Sequence, residues 1–388
     1  MTKQIVCISQ HYWDDRWFRK HHFMSRFARD GYRIAFVEPS ITLVKKAPEG
    51  KEHLAQHDLF DVKVHQKDEN IFILKPPRAL PLWNYPVFSK LAFDYFAKKV
   101  QKKLQELGFS KFILWDYIPL WVDSLKHFDY SRLVFDIADN LPEFYKANKL
   151  KYWNVKRACD KLATMSDLVL VSASSLYDQF LPKTRQRNIH IAPNGFDMDR
   201  FRQSNGEVPE ELKNVKKPIV GFIGTIFPFL DFDLINYVVD NNKDKTFVFV
   251  GGCDGAVKEH WMPITAKPNV LWLGRRAPQT IPSYIRLFDV CLNPFRVDSI
   301  SEAVNPLKAF EYVAAEKPVV SVRMLSLERE KIAQYIEFAN DYQEFDLKLN
   351  RILAERKKPK VDEHILLSYT WEEIYQKVHE EVERLLVQ

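Results

Sequence analysis

Lys308 and Glu311 lie three residues apart in the run NPFRVDSISEAVNPLKAFEYVAAEKPVVSV, residues 293–322. An ammonium there is a point charge for phosphate oxygens, and a carboxylate one turn further on can accept two hydrogen bonds from a diol such as ribose. The surrounding residues say how they are held. Cys291 to Phe295 read as a buried strand running into a polar loop, Asn305 suits an N-cap, and Pro306 suits the first turn of a helix. Leu307, Phe310 and Ala314 then give that helix an apolar face, with Asn305, Lys308 and Glu311 as a polar stripe beside it. A strand, a loop and a helix N-terminus with free N–H groups bind anions. The same spacing also fits an ordinary strand–helix–strand unit whose Lys308 and Glu311 form a surface pair.

Further residues with chemical potential fall at strand ends. Asp136 and Asp139 lie where the strand Leu133 to Ile137 gives way to a loop. Carboxylates there point into the crevice where α/β sheets take ligands, so Asp139 is a candidate general base or hydroxyl-binding group, or else a helix cap. Arg19, Lys20, His21 and His22 follow the loop after the first strand and offer donors at its carboxyl end, although adjacent histidines are commonly plain surface residues. Gly224 closes the strand Ile219 to Ile223 and permits close backbone approach to a ligand.

The elements needed to hold these groups alternate along the chain. Short apolar strands begin near Ile5, Ile34, Ile71, Phe112, Leu133, Leu168 and Ile189, and again at Ile219, Thr246, Val270, Val290 and Val319. Helical segments separate them, which is the pattern of a parallel α/β sheet built twice. No GxGxxG follows the first strand, which disfavours a dinucleotide site. The polar segment 202–217 reads as a linker, and Trp371 to Leu386 as a closing amphipathic helix. The organisation expected is 1–205, 206–368 and a terminal helix over 369–388.

At 388 residues and 46% hydrophobic content the chain is a globular protein of two domains or one large one. No apolar run approaches the roughly 20 residues of a membrane span, and the N-terminus lacks the features of a signal peptide. Four scattered cysteines without a CxxC pair, three of them in apolar stretches, indicate buried thiols in a reducing cytoplasm and no metal site. The net charge of +6 divides into +10 for residues 1–205 and −4 for the rest. Nucleic acid would need basic-aromatic or helix-turn-helix motifs that are absent, whereas an anionic membrane surface fits the basic half. Segment 78–103, in which Trp83, Tyr85, Phe88, Phe93 and Tyr95 alternate with basic residues, suits either an interfacial helix or a core helix with a solvated end.

In this order the pieces resemble the GT-B glycosyltransferases, nearest the bacterial surface-polysaccharide group allied to family 4 that includes teichuronic acid synthesis. The resemblance covers nearly the whole length. It is carried by VGFIGTI with DFDLI behind it, LGRRAPQTIPSYIRLFDVCLNPF, NPLKAFEYVAAEKPVVS, APNGFDMDRF and the late Trp371. It implies two Rossmann-like domains facing across a cleft, with the last helix crossing back to the first. It further implies a nucleotide diphosphate sugar donor, UDP ahead of GDP, and no cofactor or metal. Glu311 matches the family's ribose-binding Glu, Lys308 the contact to donor phosphates or sugar, and Arg275 and Arg276 positions lining the base pocket. Amides at 304–307, from Asn305, Pro306 and Leu307, would cradle the diphosphate.

The acceptor, lipid-linked or a polysaccharide, would meet the basic half through Arg19, His21, His22 and Asp136, at the inner face of a cell membrane. Two departures stand out. The family's earlier Glu is replaced by Ala303, with Glu302 one residue off, and the basic pair after the first glycine is missing. A more distant similarity to the glucuronosyltransferases of xanthan synthesis, which invert, aligns their base with Asp139, so the stereochemical course stays open. The departures also keep two alternatives in view, an epimerase or hydrolase on this fold and a non-catalytic partner subunit.

Overall fold

The computed structural model describes residues 3–14, 17–40, 57–78, 86–184, 188–202, 207–297 and 307–387. The chain divides into two compact units, Met1–Ala192 with Tyr375–Gln388, and Pro193–Ile374. The second unit thus begins at Pro193, ahead of the polar 202–217 segment, whose Leu212 is buried in that unit's core.

The first unit is built on β1 (Gln4–Ile8), β2 (Arg33–Val37), β3 (Lys63–Gln66), β4 (Ile71–Lys75), β5 (Phe112–Asp116), β6 (Tyr130–Ile137), β7 (Leu168–Val171) and β8 (Ile189–Ile191). Their order in the sheet is β3-β4-β2-β1-β5-β6-β7-β8, all pairings parallel except that of β3 with β4. Runs such as IVCI, FILWD and LVLV are buried on every residue, as strands covered by helices on both faces must be. The antiparallel edge strand β3, KVHQ, is exposed along its whole length and carries no apolar alternation by which it could be read.

The helix Arg19–Arg29 covers one face with Phe23, Met24 and Phe27. Phe27 meets Tyr375 of the terminal helix edge to face at 5.0 Å. That helix, Trp371–Val387, starts in residues of the second unit and from Tyr375 onward belongs to the first, burying Tyr375, Val378, Val382 and Leu385. In the helix Pro86–Glu106, Phe93, Phe96, Ala97, Val100 and Leu104 are buried while Leu91 and Tyr95 are exposed, the division of a helix packed by one face. Residues 79–85 of the basic-aromatic segment lie outside the described residues.

The second unit holds β9 (Ile219–Ile223), β10 (Thr246–Val250), β11 (Val270–Trp272), β12 (Val290–Asn293), β13 (Val319–Val322) and β14 (Ile336–Ala339). The sheet runs β11-β10-β9-β12-β13-β14 and is parallel throughout. Numbered within the unit this is 3-2-1-4-5-6, the doubly wound order whose ligands bind beyond the carboxyl ends of the two central strands, where the winding reverses. Those strands are β9 and β12, so Gly224 and the helix that follows β12 stand at the switch point. β1 and β5 occupy the same place in the first unit.

Candidate active site

In the second unit, Lys308 and Gly224 come together. Gly224 leaves β9 at φ +145°, and a Cβ there would fall 1.9 Å from Lys308 Cε. The lysine side chain therefore lies across bare backbone, its Nζ 6.0 Å from the centre of the Phe295 ring. Two local features hold it so. The backbone N–H of Ile223 donates to the buried Tyr312 hydroxyl at 2.7 Å, tying the helix Leu307–Ala314 to the end of β9. That helix buries Ala309, Phe310, Tyr312 and Val313, with Leu307 and Ala314 only partly covered, so the apolar face is rotated from the spacing expected. Gly251 adds a second constraint, since a Cβ on it would meet the Gly224 carbonyl oxygen at 1.8 Å.

Glu311 stands one turn beyond Lys308, half-buried. Burial lifts its carboxyl above the usual range, and Lys308 and Arg200 pull it back down. Arg200, on the short helix Met198–Arg202, is a charge that sequence reasoning passed over. Its only signal was a place inside APNGFDMDRF. Arg275 lies against Gly252, where a Cβ would be 2.8 Å from its Nε, and is otherwise exposed. Arg276 turns elsewhere. Its Nη2 donates to Glu211 Oε1 at 2.7 Å and its Nε to the Tyr284 hydroxyl at 3.0 Å, which fixes it within the unit instead of facing a ligand. Asn305 and Pro306 lie outside the described residues.

In the first unit, the residues expected to meet an acceptor separate into two sets. Arg19 and Asp136 face each other, with Nε 2.7 Å from Oδ1 and both side chains essentially sealed from solvent. Trp115 Nε1 donates to the other Asp136 oxygen at 3.3 Å, and Arg19 also donates to the Ala192 carbonyl. His21 is buried with both ring nitrogens engaged. Nδ1 accepts from the Phe18 N–H at 3.0 Å and Nε2 lies 3.0 Å from the Tyr12 carbonyl. These three residues thus form the frame of the loop after β1, a correction to their expected role as acceptor contacts. His22 is partly exposed and packs edge to face with Trp17 at 5.3 Å.

Asp139 is the candidate base. It is half-buried in the loop after β6, which is pinned by Ser172 Oγ donating to the Ala138 carbonyl at 2.6 Å. Burial raises its pKa, while the positive charges of Lys20 and Arg19 lower it. Lys20 is itself buried, its Nζ 2.8 Å from His11 Nδ1 and 4.6 Å from the Tyr117 ring centre. Burial outweighs the nearby anions and brings its pKa down to about 8. The chemistry available here is a carboxylate base of raised pKa with a titratable cation beside it. His11 had no sequence signal beyond its place just after β1. Among the described residues no group of three His, Cys, Asp or Glu could hold a metal ion.

Two doubly wound sheets in one chain are the architecture of the GT-B class, and the chain is a glycosyltransferase. More particularly, residues 217–355 match the family described as Glycosyl transferases group 1. TuaH of Bacillus subtilis (strain 168), named for a glycosyltransferase role in teichuronic acid biosynthesis, is 27% identical over 270 residues, 64% of this chain and 67% of that protein. Among solved structures, sucrose-phosphate synthase from Thermosynechococcus elongatus superposes with a TM-score of 0.73 at 12% identity, covering 99% of both chains. Anabaena Alr3699/HepE in complex with UDP and glucose gives 0.68 at 14% identity, covering 98% of this chain and 100% of that one.

Proposed function

We propose that the chain transfers a sugar from a UDP-sugar to a lipid-linked or glycan acceptor in the synthesis of a bacterial surface polysaccharide. The observation that carries the donor half is Lys308 laid across Gly224 at the switch point, with Glu311 one turn on. In this reading Lys308 and the amide end of its helix meet the diphosphate, Glu311 accepts both ribose hydroxyls, and Arg275 lies toward the base. The leaving diphosphate is neutralised by those groups without calling on a divalent cation. UDP is favoured because the fold is shared with proteins solved with UDP and with UDP-2-fluoro glucose. The acceptor class draws on the likeness to TuaH and on the +10 charge of residues 1–205. In an inverting transfer Asp139 takes the acceptor's proton, at the inner face of the membrane.

The test is a thermal-shift series with UDP, GDP, ADP and CMP on wild type and Glu311→Ala. Ligand at ~100 times its dissociation constant adds roughly 2.7 kcal/mol to the binding unit. A UDP-dependent rise lost in Glu311→Ala is expected. A rise with another nucleotide alone overturns the choice of base, and no rise with any overturns the donor site.

A further inference from the structure

The first unit carries an exposed apolar and basic face. Phe144 is 45% exposed, Leu150 63% and Trp153 62%, in a segment that runs from a 3-10 turn, Leu141–Tyr145, into the helix Lys149–Met165. That helix buries Val155, Ala158, Cys159, Leu162 and Ala163. Leu150 and Trp153 emerge on the opposite side at i,i+3, and Arg157 and Lys161 continue the row at steps of four. Between residues 143 and 161 there are six basic side chains against Glu143 and Asp160. Lys149 and Lys151 form no ion pair among the described residues, while Arg157 and Lys161 share the single carboxylate of Asp123 at 2.9 and 2.6 Å.

Isolated apolar residues on a surface need no explanation, but aromatic and aliphatic side chains grouped with lysines do. Protein interfaces enrich aromatics and deplete lysine at their centres, so a protein partner fits poorly. A lipid interface takes both, with the rings among the headgroups and the ammonium groups over their phosphates. The face also joins an apolar cavity of about 260 Å³ at the carboxyl ends of β1 and β5, lined in part by Phe93, Phe96, Trp121, Leu141 and Val155. Tyr145, 41% exposed, belongs to both the face and the cavity wall.

We propose that residues 144–161 are the surface by which this protein docks on an anionic membrane, with Leu150 and Trp153 entering the headgroup layer. The inference rests on the reading above only in that the acceptor is carried by a membrane. Among the described residues no helix is long and apolar enough to cross a bilayer, and docking requires none.

The experiment is co-sedimentation of the full chain with vesicles of phosphatidylcholine, alone or with phosphatidylglycerol as about one third of the lipid. Wild type sediments with the anionic vesicles only, and less so as salt rises. Leu150→Ala with Trp153→Ala weakens binding about tenfold or more through lost apolar contact. Lys149→Gln with Lys151→Gln weakens it about thirtyfold, near a factor of five for each charge. No binding by wild type, or unchanged binding by both double variants, overturns the proposal. So does a wild-type dimer that the Leu150/Trp153 variant loses while its vesicle binding persists, because the face then joins two copies. The UDP thermal shift, run on each variant, keeps the two hypotheses apart. Vesicle binding without a UDP response sinks the donor reading and leaves docking intact, and the converse sinks docking alone.

Discussion

Gly224→Ala tests the geometry of the proposed donor site through a residue that has no side chain. The new methyl carbon would sit 1.9 Å from Lys308 Cε, 2.9 Å from its Nζ and 3.0 Å from its Cδ, so the end of the lysine must swing away. The chain end is flexible, and the swing itself costs little. A φ of +145° is a separate matter, because a non-glycine residue in that region is strained by about 1–3 kcal/mol. That predicts a melting temperature lower by roughly 2–4 °C for each kcal/mol in a unit of this size. The loss of binding is larger in consequence. Removing a charge-assisted contact to phosphate costs about 1.5–3 kcal/mol, or roughly 10- to 150-fold in UDP affinity. Calorimetric titration of UDP into Gly224→Ala, Lys308→Ala and the double variant completes a cycle. If the glycine acts by seating the lysine, the double variant binds like Lys308→Ala alone. Additive losses, or a Gly224→Ala protein with wild-type affinity, would refute the reasoning.

Other predictions follow the same groups. Asp139→Asn abolishes transfer while leaving the UDP thermal shift intact. Since the carboxyl must be ionised to act and its pKa is raised, the rising limb of kcat/KM against pH lies above the ordinary aspartate range. Lys20→Met removes a charge that holds that pKa down, so the limb moves to higher pH; a limb that moves down or stays fixed contradicts the pairing. Asp116, fully buried at the end of β5, accepts from the Ile118 N–H at 2.7 Å, has no hydrogen-bond partner at Oδ2 among the described residues, and has its pKa pushed well up by burial. A carboxyl raised on folding contributes stability that is full below the unfolded value near 4 and is lost as pH rises through the folded value. Asp116→Asn should therefore match wild type in melting temperature near pH 4 and exceed it by pH 8. A variant less stable at pH 8 than at pH 4, relative to wild type, would show that the carboxyl is ionised and needed.

Much of the fold could be read from the residues because parallel strands buried on both faces are continuous apolar runs, and IVGFI, TFVFV and VVSV announce themselves. The strand β3 could not be, since KVHQ lies at an edge and buries nothing, and in β14, IEFA, Glu337 interrupts the apolar run. At the proposed donor site the sequence marks Gly224 and Lys308 separately, but their contact spans a long stretch of chain and no local pattern encodes it. The basic and acidic residues of the first unit show the harder limit. Arg19 and Asp136 look the same in sequence whether they face a ligand or each other, and only the fold reveals a buried ion pair. His21 is similar, since its ring nitrogens close the loop from Tyr12 to Phe18. The pKa of Lys20 is lowered and that of Asp116 raised by depth of burial, which composition does not report.

The terminal helix has a consequence for the order in which the molecule can be made. Tyr375, Val378, Val382 and Leu385 are core residues of the unit formed by Met1–Ala192, and Tyr375 donates to Asp30 at 2.7 Å while Arg132 donates to the Leu385 carbonyl at 2.9 Å. A ribosome delivers those partners only after the whole of the second unit has emerged. At ~5–20 residues per second, roughly 180 intervening residues mean a delay on the order of 10–40 s. Through that interval Phe27, Tyr32 and the rest of the helix's seat stay uncovered on a nascent chain. The first unit to be synthesised is thus the last to be closed.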